Sequence, residues 1–246
     1  MIALLLVAVL LGAWQLYASE GPVDDLILPS PSEIATALWE DRSLLWSNFL
    51  VTAQEVAFGI VAALVVGFAC ATALHFWRPL RRATYPLLVA SQAVPIVIVA
   101  PLLIVWLGFG MAPKVAIIAL ICFFPIVVTT LDALGRVDRD TIRLLRTLDA
   151  SRWSAFRFAE APAALPAALS GAKIAVAVAV IGAVFAEYSG SSEGLGHLIL
   201  QAIPQLETAR AWAAVVVLAG FAVALFYALD VAQRRLLPWT TNERTS

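Results

Sequence analysis

At 246 residues, with 62% of them hydrophobic, 13% charged and a formal net charge of −1, the chain is too apolar for a soluble domain of its length. A mean hydropathy of +0.91, with several apolar runs near the roughly 20 residues that cross a bilayer, makes it an integral membrane protein. The near-neutral sum of charge decides little, because in such a chain the placement of charge outweighs its total.

The first span is predicted over residues 2–18, with Trp14 and Tyr17 where an interfacial aromatic belt would lie. A cleaved signal peptide is the competing reading. No Lys or Arg precedes the apolar run, which favours an uncleaved helix, although Ala18-Ser19 offers small residues for cleavage. Residues 19–47 form a Pro-rich, acidic connector whose one positive charge is Arg42, and it is placed outside the cytoplasm. Ser30 or Ser32 is positioned to cap a short helix over 33–40, in which Ile34, Ala37 and Leu38 share a face.

Span two, over 48–76, is longer than a bilayer requires and so tilts or protrudes. It contains Glu55, for which solvation at the headgroup level and a pathway role both stand. The connector HFWRPLRRATYP carries Arg78, Arg81 and Arg82 without an acid, which assigns it to the cytoplasm. Span three is predicted over 87–107, as one helix that Pro95 and Pro101 kink. The tight turn GFGMAPK, on the outer side, leads to span four over 115–134, with Pro125 near its middle.

Polar chemistry is concentrated in the stretch 138–171. Arg139, Arg143 and Arg146 share one face of a predicted helix over 138–148, and Ile142, Leu145 and Leu148 share another. A second short helix over 151–159 follows a break near Asp149-Ala150, and Pro162 and Pro166 are expected to end it. Pattern alone leaves two readings of this knob: a basic loop held at a lipid surface, or a docking element for another protein.

Span five, over 167–188, is rich in Ala, Val and Gly, and Gly171 and Gly182 give it a thin face for a neighbouring helix. Lys173 near its cytoplasmic end is read as snorkelling to the interface. A Gly-rich outer connector follows, with Leu195, Leu198 and Ile199 at helical spacing, then span six over 211–229 and a tail carrying Asp230, Arg234, Arg235 and Trp239. Segments assigned to the inside hold Arg78, Arg81, Arg82, the arginines of 136–157, Lys173, Arg234, Arg235 and Arg244. Those assigned to the outside hold Arg42, Lys114 and Arg210. This bias predicts six spans with both termini in the cytoplasm.

Cys70 and Cys122 fall inside predicted spans and read as packing residues, and His75 and His197 have no second ligand at metal-binding spacing. No G-x-x-x-x-G-K-S/T phosphate loop, no H-E-x-x-H and no G-x-S-x-G occurs. An enzyme is therefore not expected, nor a bound cofactor, a metal or a nucleic-acid partner. The spans read as nearly free of the ionisable groups that proton or sodium coupling uses. What remains is a passive pathway driven from elsewhere.

The segment TLDASRWSAFRFAEAPAALPAALSGAKIA resembles the cytoplasmic loop of permease subunits of bacterial ATP-binding-cassette (ABC) importers, whose pattern is E-A-A, three residues, Gly, nine residues, then I-x-L-P. Setting the closing proline on Pro162 puts Arg143-Leu144-Leu145 at the E-A-A position and Asp149 at the Gly position, while Ala150, Ser151, Phe156, Pro162 and Pro166 fit. Asp is among the few residues other than Gly that tolerate a left-handed backbone, so the bend survives, whereas the missing Glu removes an expected polar contact. LPSPSEIATAL, VPIVIVAPLLIVWLGFGMAPKVAIIALICFFPIVVTTLDAL and AEYSGSSEGLGHLI are similar to the subgroup importing nitrate, taurine, alkanesulfonates, pyrimidine thiamine precursors or riboflavin. CFFPIVVTT leans toward the pyrimidine-precursor importers.

The resemblance implies an all-α integral membrane protein of the type I ABC importer permease fold, multi-pass in the bacterial inner membrane. Its parts would be a first transmembrane helix at 1–18, an extracytoplasmic connector at 19–47, and a permease domain at 48–246 with its coupling loop at 138–166. It further implies a homodimer in the lipid bilayer, cytoplasmic ATPase subunits that use the ATP, and an extracytoplasmic substrate-binding protein. Asp149, Ala150, Ser151, Arg152, Trp153, Phe156, Pro162 and Pro166 would couple to the ATPase, with Trp153 and Phe156, three apart on one helix face, as its buried anchors. Ser91, Gln92 and Pro95 on span three and Gly182 on span five would line the pathway. Glu187, with Gly194-Leu195-Gly196, would stand at the outer mouth. A solvated helix end is the other reading of Glu187, and intersegment hydrogen bonding that of Ser91 and Gln92.

Overall fold

A computed structural model describes residues 2–21 and 26–237; the expected tail residues Trp239 and Arg244 lie outside them. The helices are α1 (Ile2–Glu20), α2 (Pro31–Glu40), α3 (Arg42–Phe76), α4 (Arg78–Ser91), α5 (Ile96–Leu107), α6 (Met111–Gly135), α7 (Arg139–Thr147) and α8 (Arg152–Ala155). A π-turn over Phe156–Glu160 then joins α9 (Ala161–Gly190), followed by α10 (Leu195–Ala202) and α11 (Thr208–Leu236). Among the described residues there is no strand, as suits apolar runs that must close their own backbone hydrogen bonds in lipid. By length and composition four described stretches can cross a membrane: Arg42–Phe76, Met111–Gly135, Arg152–Gly190 and Thr208–Arg235. Counting α4 and α5 as one broken span makes five, and α1 is a shorter apolar helix.

The centre of the molecule is α6, packed along α3 on one side and α9 on the other. Ile118, Cys122 and Ile126 are fully buried there against Val56, Ala63, Ala175 and Ala179. Small residues permit the approach. A Cβ at Gly171 would collide with the Thr129 side chain and lie 3.1 Å from the Pro125 carbonyl oxygen; one at Gly182 would lie 3.0 Å from Ile121 Cδ1. The thin face expected on span five therefore exists, and it is turned onto α6. Gly171→Ala is expected to overpack this contact by about 1–3 kcal/mol, measured as a lower thermal denaturation midpoint of the purified protein.

A second core joins α10 and α11 to α2, where Leu195, Leu198 and Ile199 bury themselves against Ile34, Leu45 and Ala214. Trp14 of α1 leans on Trp212, ring centres 5.4 Å apart, whereas Tyr17 stays exposed. The start of α2 follows from its sequence. Glu33 N–H donates to Ser30 Oγ (3.3 Å), Ser30 N–H donates to Glu33 Oε2 (2.7 Å), and Pro31 opens the helix, a reciprocal capping box.

Besides shifts of a few residues at the ends of other spans, such as α6 starting at Met111 and α11 running over Thr208–Leu236, three features differ from the sequence expectation. Span two starts at Arg42 rather than 48, because Leu45 is buried in the second core and holds the extra turns. Span three is not one kinked helix: α4 and α5 meet at 102° across a break at 92–95. Pro95 has no N–H to offer a helix and restricts the residue before it; it stands outside α5 with an extended ψ of 121°, while Pro101 is absorbed inside α5. Finally, Pro162 and Pro166 end nothing, since Arg152–Gly190 is one continuous helical stretch. The Ala161 N–H reaches back to the Phe156 carbonyl, and this wider π-turn immediately before Pro162 makes room for a ring that lacks a donor.

Candidate functional site

The densest polar cluster is buried where α3, α6, α9 and α10 converge. Thr52 and Glu55 sit one turn apart on α3, Lys114 is in the first turn of α6, and Glu187 lies near the end of α9. Lys114 Nζ donates to Glu55 Oε1 at 2.5 Å and to Ser191 Oγ at 2.6 Å. Glu187 accepts from Thr52 Oγ1 (2.6 Å), Gly196 N (2.5 Å) and His197 N (3.4 Å). Thr52 Oγ1 in turn accepts from Leu195 N (2.9 Å), and Asn48 Oδ1 accepts from Gly194 N (2.8 Å). Glu55 and Glu187 are both fully buried, and among the described residues Glu55 Oε2 has no hydrogen-bond partner. The ammonium thus pairs with Glu55, while the Thr52 hydroxyl and the N–H donors at the start of α10 hold Glu187.

This cluster explains the glycines around Leu195. Gly194 has φ +113°, a backbone that favours glycine, and a Cβ there would run into the Glu187 carboxyl; a Cβ at Gly196 would lie 2.8 Å from Glu187 Oε2. Both glycines keep the turn close enough for its N–H groups to reach the carboxylate. The solvated helix end considered for Glu187 is therefore overturned, as is headgroup solvation of Glu55: burial leaves no water for either. The spans are also not nearly free of ionisable groups in the way the sequence suggested. Lys114, read from sequence as a loop residue, is helical and buried. Its pairing was hidden because its partners are 59 and 77 residues away.

Other side-chain pairings were missed for the same reason. Lys173 does not snorkel: it bonds Asp230 of α11, which also accepts from Arg234 at 2.8 Å, and lies 5.9 Å from the Phe226 ring centre. His75 is not alone, its Nε2 standing 2.7 Å from Glu160 Oε2.

The knob between α6 and α9 is built by local chemistry. Asp138 caps α7, its carboxylate accepting from Asp140 N, Thr141 N (both 3.1 Å) and Thr141 Oγ1 (2.9 Å). These bonds, the Asp140 N–H foremost, hold its carboxyl below the usual range. At the other end Asp149 takes φ +62°, the Asp149 N–H bonds the Arg146 carbonyl (3.1 Å), and the Ala150 N–H bonds the Leu145 carbonyl (3.0 Å). This is a left-handed helix stop of the kind glycine usually supplies. The bend expected at Asp149 is present. Asp149→Gly is expected to preserve the knob, whereas Asp149→Val should cost about 1–3 kcal/mol at this backbone angle, compared by thermal denaturation of the two variants.

Beyond the bend, Ser151 caps α8 by accepting from Ser154 N at 3.1 Å. Arg152 donates to the Phe76 carbonyl (2.7 Å) and lies over the Phe76 ring. Trp153 stacks on Phe156 at 5.4 Å, but the two face differently. Trp153 is 57% exposed, while Phe156 packs inward on Phe76, Ala133, Leu134 and Ala164. Phe156 therefore supports the knob rather than projecting from it. The exposed apolar side chains are Leu144, Leu148, Trp153 and Phe158; only Trp153 and, through its helical spacing, Leu148 had been marked by the sequence. Pro162 and Pro166 lie in the helix behind it.

Of the residues assigned to a pathway, Ser91, Gln92 and Pro95 come together at the α4–α5 break and are exposed. Ser91 Oγ donates to the Leu88 carbonyl at 2.7 Å, within its own helix rather than between segments. Gly182 does not join them, being buried in the α6–α9 contact, so its small size serves packing. Glu187 stands in the separate buried cluster. Among the described residues no group of His, Cys, Asp and Glu is arranged to hold a metal ion.

This architecture has relatives. A solved amino acid ABC transporter superposes with a TM-score of 0.63 over 82% of this chain and 96% of its own, at 13% identity, which shows the type I importer permease fold. The formylaminopyrimidine transport permease ThiX of Halalkalibacterium halodurans is 34% identical over 88% of this chain and 87% of its own. The riboflavin transport permease RibX of Chloroflexus aurantiacus is 36% identical over 95% of this chain and 88% of its own. Residues 59–242 match the model of the binding-protein-dependent transport system inner membrane component family, and the chain belongs to that family of ABC importer permeases.

Proposed function

We propose that this permease forms, as a homodimer with six spans per chain and both termini in the cytoplasm, the inner-membrane pathway of an ATP-driven importer for a small organic solute. A pyrimidine thiamine precursor is the cargo we favour, on the likeness of CFFPIVVTT and on the 34% identity to a formylaminopyrimidine permease. Riboflavin, a sulfonate, taurine or nitrate as the ligand of the partnering binding protein would replace it. ATP is used by separate cytoplasmic ATPase subunits, and an extracytoplasmic binding protein delivers cargo to an outer mouth near Glu187 and Gly194–Gly196. Ser91, Gln92 and Pro95 line the pathway at the α4–α5 break, where their side chains are exposed.

The observation that supports this reading most is the knob over 138–166. It stands between two apolar helices, is stopped by a left-handed Asp149 where the family pattern has Gly, and exposes Leu144, Leu148 and Trp153 without an intramolecular cover. Apolar side chains exposed beside arginines suit a groove on a partner protein, where a few buried anchors carry most of the affinity. Co-purification tests it. The intact chain should recover its ATPase, and Leu148→Ala with Trp153→Ala should weaken recovery by about thirtyfold or more while thermal stability is kept. Unchanged recovery would remove the knob from the interface.

A stand-alone carrier is the second reading, favoured only by the buried Glu55–Lys114–Glu187 cluster. Every charged group of that cluster is held by direct contacts, which suits a lock better than a proton relay.

A further inference from the structure

A cleft of about 1110 Å³ opens between the α3–α4 corner, the end of α6 and the knob. Arg78, Arg81, Arg82, Arg143, Arg146 and Arg152 line it, and among the described residues Glu160 is the one acid on its wall. Half of these guanidinium groups are already engaged. Arg81 donates to the Leu131 carbonyl (3.3 Å), Arg143 to Asp140 (2.8 Å) and Arg152 to the Phe76 carbonyl (2.7 Å). Glu160 is taken by His75 at 2.7 Å. Arg78 and Arg82, one turn apart on α4, and Arg146 across the cleft on α7 are exposed, and among the described residues none of their side chains has a hydrogen-bond or ion-pair partner.

Like charges converging on one cavity without a counter-ion call for an anion, and a planar guanidinium fork suits phosphate oxygens. The helix that brings Arg78 and Arg82 also indicates where the anion comes from. None of its residues is buried in the chain, it turns 102° away from the apolar α5, and Trp77, Leu80 and Leu87 around it are exposed. The basic first turns of α4, flanked by exposed aromatic and aliphatic side chains, suit the headgroup level of a membrane, where arginines reach the lipid phosphates. We propose that this cleft holds the phosphate-bearing headgroup of an anionic phospholipid from the cytoplasmic leaflet, packed between α4 and the back of the knob. This rests on the reading that the arginine-rich side is cytoplasmic. It makes the position of the knob sensitive to the surrounding lipid.

The test uses the full-length chain alone, purified in a neutral detergent and titrated with phosphatidylglycerol or phosphatidylcholine in mixed micelles, with bound lipid counted by native mass spectrometry. Phosphatidylglycerol should be retained in preference to phosphatidylcholine, and retention should fall as salt is raised. Arg78→Gln with Arg82→Gln should weaken retention about twenty-five-fold, at roughly fivefold per arginine near an anionic surface. Should that double variant fail to fold, Arg78→Lys with Arg82→Lys should retain the lipid and Arg146→Gln alone should lose about fivefold. Retention by the Gln variants equal to wild type would overturn the proposal. So would displacement of the lipid by equimolar inorganic phosphate, which would make this a site for a free anion. An Arg-dependent capture of the ATPase with lipid retention unaffected would assign the cleft to the protein interface instead. Because no ATPase is present in the lipid titration, failure of the permease to recruit one leaves this result standing.

Discussion

Lys114→Met is expected to destabilise the folded chain by about 3–5 kcal/mol, the cost of leaving a buried charge without its partner. That is a large share of the roughly 5–15 kcal/mol that holds a typical domain together. Lys114 touches Glu55 at 2.5 Å and Ser191 at 2.6 Å and is itself buried. Its removal leaves the buried Glu55 carboxyl without the ammonium that holds it. Thermal denaturation in detergent reads the effect directly. A double variant, Lys114→Met with Glu55→Leu, sharpens it: apolar groups in place of a whole buried pair are nearly neutral, so the double variant should be more stable than Lys114→Met alone. A Lys114→Met protein that melts with wild type would mean that this ion pair does not hold α3 to α6.

Glu187→Leu should release α10. The N–H groups of Gly196 and His197 and the Thr52 hydroxyl all point to this carboxylate, and each buried donor left unsatisfied costs about 1–3 kcal/mol. The expected result is faster amide hydrogen exchange across α10, with α6 and the centre of α9 little changed. Glu187→Gln keeps an acceptor and should show a much smaller effect. Equal exchange in wild type and Glu187→Leu would show that the apolar contacts of Leu195, Leu198 and Ile199 hold α10 without the carboxylate.

Features governed by near neighbours were legible in the sequence. The Ser30 cap of α2, the amphipathic α7, the left-handed stop at Asp149 and the thin face of α9 at Gly171 each depend on a few adjacent residues, and each is present. The family resemblance set Glu187 and Gly194-Leu195-Gly196 together at an outer mouth; the structure joins them by hydrogen bonds in a buried cluster. Where the chain's own tertiary contacts decide, the sequence was silent or misleading. The partners of Glu55, Lys173 and His75 lie 59, 57 and 85 residues away, so all three looked solitary or solvated. Proline was misjudged in both directions. Pro162 passes within a helix because the preceding π-turn widens to admit it, while Pro95 produces a full break rather than a kink. Phe156 and Trp153 share a spacing that does not distinguish inside from outside; only Leu134 and Ala164 against Phe156 separate their roles.

The role proposed for the knob joins these parts. The π-turn and α9 make Arg152–Gly190 a continuous helical stretch from the knob to the Glu187 cluster, so a displacement of the knob by an ATPase would be carried along it to that cluster. Uptake of the binding protein's own ligand into proteoliposomes tests the whole account most directly. Vesicles holding this chain, its ATPase and its binding protein should import the ligand only with ATP, and Leu148→Asp with Trp153→Asp should abolish import without unfolding the chain. Import by vesicles containing this chain alone, or import unaffected by those two substitutions, would contradict it.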